Sequence, residues 1–216
     1  MKQLEFKKVS GWGGKRRGSG RKNKSGTVNH EKREEITLKT PLHITLKLLP
    51  GMASLRIPEL LNSFKVAVEH AKRFELYVLH YSLQHDHVHI LAEAPSAEAL
   101  DRGMRSLNTR FGKAIRRVTG GEGPVFASRY HVHILQTPTE TKRALKYVLL
   151  NFAKHEQLIE HVDDYSSGYS FQEWPLLVNI NDLLEEQLSD KIPSTPHHEL
   201  TTPHSWLARD GWKRAA

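Results

Sequence analysis

His87-Val88-His89 sets two imidazoles two residues apart in a run, His87–Ala94, that reads as a β-strand. Alternation along a strand sends both side chains to one face, where two ring nitrogens can share a cation. Such a pair is weak evidence alone, because most His-x-His pairs on strands are surface or half-buried histidines. The same five residues, HVHIL, occur at His87–Leu91 and again at His131–Leu135. Two such strands could bring four histidines to one zinc or non-haem iron centre, the reading of a metalloenzyme acting on small molecules. A third group sits in the helical stretch TETKRALKYVLLNFAKH, Thr139–His155. At about 100° per residue, Ala144, Leu145, Val148, Leu149 and Phe152 form an apolar stripe. Tyr147 falls outside it, on a flank with Arg143, Asn151 and Lys154, and Asn151 lies one turn further along the same side. A tyrosine bridging core and solvent is the plain reading of that position. A tyrosine meant only for the core would have lain inside the stripe.

The elements that must position these groups follow from periodicity and from breakers. Pro41 opens a strand-like run, Leu42–Leu49, which Pro50-Gly51 stops. From Ile57 to about Phe74 apolar residues recur at helical spacing, with Pro58 in the first turn. Glu75–Leu83 reads as a strand and returns through the polar turn Gln84-His85-Asp86 into His87–Ala94. Ser96 is an N-cap for a helix over roughly Ala97–Val118. The glycine-rich loop Thr119–Pro124 leads to a strand at about Tyr130–Gln136, and Thr137-Pro138-Thr139 caps a helix over Glu140–His155. The order β-α-β-β-α-β-α predicts an α+β, ferredoxin-like antiparallel sheet with helices packed on one face. Three regions result: a basic flexible arm over 1–40, a domain over 41–156 and an irregular C-terminal extension over 157–216.

Charge is unevenly spread over the 216 residues. Residues 1–24 hold nine Lys/Arg, Arg16, Arg17, Arg21 and Lys22 among them, against the single acid Glu5, so the whole formal excess of +8 sits there. An arm this rich in glycine and charge does not pack, and it suits counterion release from a polyanion; a solvated tail that aids solubility is the simpler alternative. The helix over Ala97–Val118 adds Arg102, Arg105, Arg110, Lys113, Arg116 and Arg117, readable as a DNA-binding face or as an ordinary solvated one. Apolar residues make up 38%, enough for one core but lean for the whole chain. With no cysteine, disulfides and thiolate metal sites are excluded. No apolar run approaches the roughly 20 residues of a membrane span, and MKQLEFKKVSGWGG lacks the apolar segment of a signal peptide. A soluble, cytoplasmic protein with no membrane partner is the expectation.

Three blocks in order resemble the REP-associated tyrosine transposases and their insertion-sequence relatives among the single-tyrosine HUH enzymes. They are Ser82–Leu91 (SLQHDHVHIL), Gly123–His131 (GPVFASRYH) and Ala144–Asn151 (ALKYVLLN). The resemblance spans roughly 41–174, including Tyr165-Ser166-Ser167, and omits the arm and tail. It implies that His87 and His89 hold a divalent metal, Mg²⁺ or Mn²⁺, with Asn151 as third ligand. It also implies that Tyr147 is a nucleophile cleaving and rejoining single-stranded DNA through a 5′-phosphotyrosine link. His131 and His133 then face DNA or serve structure. One departure is Asp86, where the family has asparagine; it either joins the metal's outer shell or marks a drifted copy that binds hairpins without cutting. The implied partner is hairpin-containing single-stranded DNA, held by the arm, by Arg102, Arg105, Arg110, Lys113 and Arg143, and by aromatics such as Tyr130 and Trp12 on which bases would stack. The resemblance leaves both monomer and homodimer open, and its setting is the bacterial nucleoid.

Overall fold

The computed structural model describes residues 35–156, 162–177 and 198–215, with side chains throughout except at 151–156 and 175. The arm residues Arg16, Arg17, Arg21 and Lys22, and Trp12, lie outside the described residues. Four strands form one antiparallel sheet: β1 (Leu42–Lys47), β2 (Tyr77–Leu83), β3 (His87–Glu93) and β4 (His131–Ile134), in the order β2-β3-β1-β4. β1 thus lies between the strands that carry the two HVHIL copies. Thr45 pairs with His89 on one side and His131 on the other.

Three helices complete the domain: α1 (Pro58–Lys72), α2 (Ala97–Thr119) and α3 (Pro138–Glu156). Their starts are locally encoded. Pro58 occupies the first turn of α1. The Ser96 hydroxyl accepts from Ala99 N at 3.2 Å to open α2. At α3, Glu140 accepts from Gln136 N and Thr137 N while Thr137 Oγ1 accepts from Glu140 N, a reciprocal capping box. Gly120, at φ +68°, closes α2 in the left-handed region that favours glycine.

The strands divide the molecule in two. One face of β1, β3 and β4 presents Leu42, Ile44, Leu46, Val88, Ile90, Ala92, Val132 and Ile134, and packs with α1 and α2 around Phe64 and Phe111. The other presents His43, Thr45, Lys47, His87, His89, Leu91, His131 and His133, by the alternation of the same pleat. The expected placement of helices on one face holds for α1 and α2. α3 instead lies across the second face, where its Ala144, Leu145 and Leu149 cover the apolar island Leu79, Leu91 and Leu135. The physical reason is that one end of this otherwise polar face carries leucines that must leave water.

The C-terminal extension builds into that second core. Phe171, Trp174 and Trp212 are buried against α3, and Lys142 Nζ donates to Ala215 O at 2.7 Å. Glu93, fully buried at the end of β3, accepts from His204 N, His204 Nδ1 and Ser205 N, so its carboxylate is paired rather than stranded. Across the molecule, Arg56 grips Asp163 through two nitrogens at 2.9 and 2.7 Å and also donates to Leu83 O. That pair ties residues 162–167 to the base of the β2–β3 hairpin. Among the described residues no helix is long and apolar enough to cross a membrane.

Candidate metal and nucleophile site

The β2–β3 turn is fixed from below: Leu48 N donates to Asp86 O and Leu55 N to His85 O. β3 therefore starts at His87 in a set register, and both His87 and His89 stand on the sheet's polar face. α3 crosses above them and sets the Tyr147 ring 4.8 Å from the His89 ring, edge-on at 74°. The His87 and His89 rings are 4.6 Å apart. Tyr147 is 45% exposed beside the buried Ala144, Leu145, Val148 and Leu149, so its phenol borders solvent as well as the imidazoles.

A residue that sequence reading passed over completes the group. His43, on β1, lies 5.2 Å ring-to-ring from His89 and 5.7 Å from Tyr147. Its Nε2 is 3.2 Å from His89 Nδ1, and Thr45 Oγ1 is 3.3 Å from the same nitrogen. A signal was present, since His43, Thr45 and Lys47 alternate with Leu42, Ile44 and Leu46. What was missing was the strand order that makes β1 the neighbour of β3.

His87 and His89 each have their Nδ1 engaged. Asp86 Oδ1 lies 2.6 Å from His87 Nδ1, and that hydrogen bond, with Lys47 nearby, holds the Asp86 carboxyl below its usual range. An ionised carboxylate only accepts, so His87 Nδ1 carries a proton and the ring turns Nε2 away from Asp86. His89 Nε2 is buried with no hydrogen-bond partner among the described residues. Burial first, then the neighbouring His87 and His43, pushes the His89 pKa down to about 3. Burial, with His133 and His131, pushes His43 to about 4. Both rings are therefore neutral at pH 7, the form that binds metal. An orphaned nitrogen on a neutral imidazole, beside a second whose far nitrogen is anchored to a carboxylate, fits the donor set of a divalent cation.

The other expected residues are placed as follows. Among the described residues no three His, Asp or Glu form a metal-ligating group, so the two HVHIL copies do not converge as a four-histidine centre. β1 stands between them. Asn151 is in the backbone of α3, four residues past Tyr147, but its side chain lies outside the described residues. Tyr130 is not a stacking platform: it is 8% exposed in the first core, and its hydroxyl donates to Asp101, which also pairs with Arg129. Arg143 is exposed on α3. Arg102, Arg105, Arg110 and Lys113 are exposed on α2, in the helical layer across the sheet from the imidazoles, and Arg102 pairs with Glu75 at 3.4 Å. The expected basic face exists, yet it is not the face that holds the histidines. Charge counting along one helix does not register which side of a sheet the helix covers.

Residues 59–151 match the family described as transposase IS200 like, a segment that contains His87, His89 and Tyr147. That match agrees with the resemblance to insertion-sequence transposases expected from the three sequence blocks. Among solved structures, the chain is similar to a REP-associated tyrosine transposase bound to a REP hairpin, at 15% identity and a TM-score of 0.51 over 65% of this chain and 82% of that one. At that identity the likeness establishes the fold. A bacterial tRNA(His) guanylyltransferase (Thg1)-like protein in complex with GTP is a looser likeness, with 10% identity and a TM-score of 0.43 over 58% of this chain and 67% of that one. No curated protein sequence matches the chain.

Proposed function

We propose that the protein is a metal-dependent transposase that cleaves and rejoins single-stranded DNA at hairpin-flanked sites, with Tyr147 as nucleophile and His87 and His89 as metal ligands. The observation that supports it most directly is the Tyr147 ring 4.8 Å from the His89 ring, whose Nε2 is buried without a partner among the described residues. The phenol oxygen attacks the phosphorus, and the bond from phosphorus to the 3′ oxygen breaks. The products are a tyrosine joined to the 5′ phosphate and a free 3′-hydroxyl, the phenolic proton passing by way of solvent to the leaving oxygen. Phosphodiester bond energy is kept in the new ester, so a second 3′-hydroxyl can reverse the step and join strands without ATP. A divalent cation, Mn²⁺ at least as well as Mg²⁺ given imidazole donors, would supply positive charge at the non-bridging phosphate oxygens.

The chain's own residues set the geometry. Asp86 holds the His87 ring by Nδ1 and leaves Nε2 for the cation. Asp86 where relatives have asparagine is thus compatible with an intact site, which weighs against the reading of a binder that has lost cutting. Asn151, one turn beyond Tyr147, is proposed as third ligand. Arg143 on the same helix, the arm with Arg16, Arg17, Arg21 and Lys22, and the α2 cations Arg102, Arg105, Arg110 and Lys113 are proposed to hold phosphates away from the cut. Nucleophile and imidazoles come from one chain, so a monomer would suffice for a cut, and a homodimer would serve to hold two DNA ends.

The test is a denaturing gel of labelled hairpin DNA with a single-stranded flank, incubated with protein and Mn²⁺. A protein–DNA adduct is expected with the wild type and none with Tyr147→Phe. An adduct that survives in Tyr147→Phe, or DNA binding by the wild type with no adduct at all, would sink the cutting mechanism.

A further inference from the structure

His43 stands where no part of the HUH pattern calls for a residue, and it touches both halves of the site. Its Nε2 is 3.2 Å from His89 Nδ1, while its ring meets the Tyr147 ring at 70° with centroids 5.7 Å apart. Of the two histidines at 87 and 89, only His87 has a carboxylate on its Nδ1. His89 has His43 and Thr45 instead.

We infer that His43 is a positioning residue, whose Nε2 accepts the Nδ1 proton of His89 and whose ring seats Tyr147, so that one side chain of β1 sets a metal-ligating imidazole and the nucleophile in common register. The inference rests on the proposed role of His87 and His89. A neutral imidazole that gives Nε2 to a cation must carry its proton on Nδ1, and that proton needs an acceptor. Among the described residues His43 Nε2 and the Thr45 hydroxyl are the two acceptors in reach, and the pair divides the task. His43 must then carry its own proton on Nδ1. Because β1 pairs with β3 at Thr45↔His89, neither acceptor can drift without breaking the central ladder of the sheet. The Tyr147 contact adds a consequence: any rotation of His43 that abandons His89 also releases the phenol ring.

The tautomers can be read directly in the full-length wild type. Long-range ¹H–¹⁵N spectra of the Mg²⁺-loaded protein are expected to show His89 protonated at Nδ1 and His43 bare at Nε2. A proton on His43 Nε2 would overturn the inference without any variant. Mn²⁺ affinity, measured by titration calorimetry, supplies the second arm. His43→Phe keeps a ring against Tyr147 but removes the acceptor, and should weaken Mn²⁺ binding about tenfold. His43→Gln, which returns an acceptor near the lost Nε2, should recover most of that. His43→Phe with Thr45→Val should lose more than either alone. If His87→Ala abolishes Mn²⁺ binding while His43→Phe binds like the wild type, the positioning role falls and the proposed metal site stands. If the wild type takes up Mn²⁺ no better than His87→Ala, the metal reading falls and this inference with it.

Discussion

The two faces of the sheet are made by the same strands and do opposite work. Ile44, Val88 and Ile90 on one side are fully buried in a continuous apolar core under α1 and α2. One residue along, His43, Thr45, His87 and His89 form a polar patch that, among the described residues, α3 covers by setting Tyr147 over the imidazoles and packing on the leucines at the other end. The side chains that β1 and β3 bring to the first face are apolar and need no polar partner. The second holds a buried nitrogen without a partner among the described residues and two imidazoles whose pKa values burial has pushed far down. Unmet demands of that kind are what a binding face keeps and a core removes.

Substitutions on the two faces should therefore separate activity from stability. The largest effect belongs to Tyr147→Phe. It should cut covalent DNA cleavage on the order of 10³-fold or more while shifting stability by under about 0.5 kcal/mol, because the side chain is half exposed. Single-turnover cleavage beside thermal melts checks both halves. Next comes Ile44→Ala, one residue from His43 on the opposite face, expected to cost about 2–5 kcal/mol by urea denaturation. An Ile44→Ala protein as stable as the wild type would show that the core does not continue beneath β1.

Acid sharpens the contrast further. The folded-state pKa values of His89, about 3, and His43, about 4, lie below the ordinary 6.5. As pH falls, the unfolded chain takes up these protons first, so the folded state loses stability between about pH 6.5 and pH 3. Allowing for partial exposure, the loss in metal-free protein is roughly 2–4 kcal/mol, and His89→Gln should flatten the profile of denaturation midpoints. The smallest effect is expected at Gly103, where a β-carbon would run into Leu76. Gly103→Ala should cost about 1–3 kcal/mol in stability, with Mn²⁺ affinity unchanged once folded. Altered affinity in the folded variant would mean that the two faces are coupled.

Much of the fold could be read from local signals because local signals cause it. Pro58, Ser96 and the Thr137/Glu140 box start their helices through their own hydrogen bonds or ring geometry, and alternation marked the strands. Tyr147 could be picked out for a similar reason, since helical periodicity alone separates a flank from a stripe. Strand ends were less legible: the expected runs Glu75–Leu83 and Tyr130–Gln136 shorten to Tyr77–Leu83 and His131–Ile134. Tyr130 misled because its aromatic ring looks alike in a core and on a surface. Only Asp101, 29 residues away in sequence, decides between them.

The sequence by itself determined which residues alternate, where helices begin, and that His87, His89 and Tyr147 are of types able to act together. The tertiary structure alone decided that β1 runs between the two HVHIL strands, that α3 crosses the imidazole face, and that the arginines of α2 lie beyond the sheet. Periodicity is a property of neighbours along the chain and is written into it residue by residue. Strand order and the choice of face depend on which distant apolar surfaces bury one another, and that balance is struck only once the whole chain has closed.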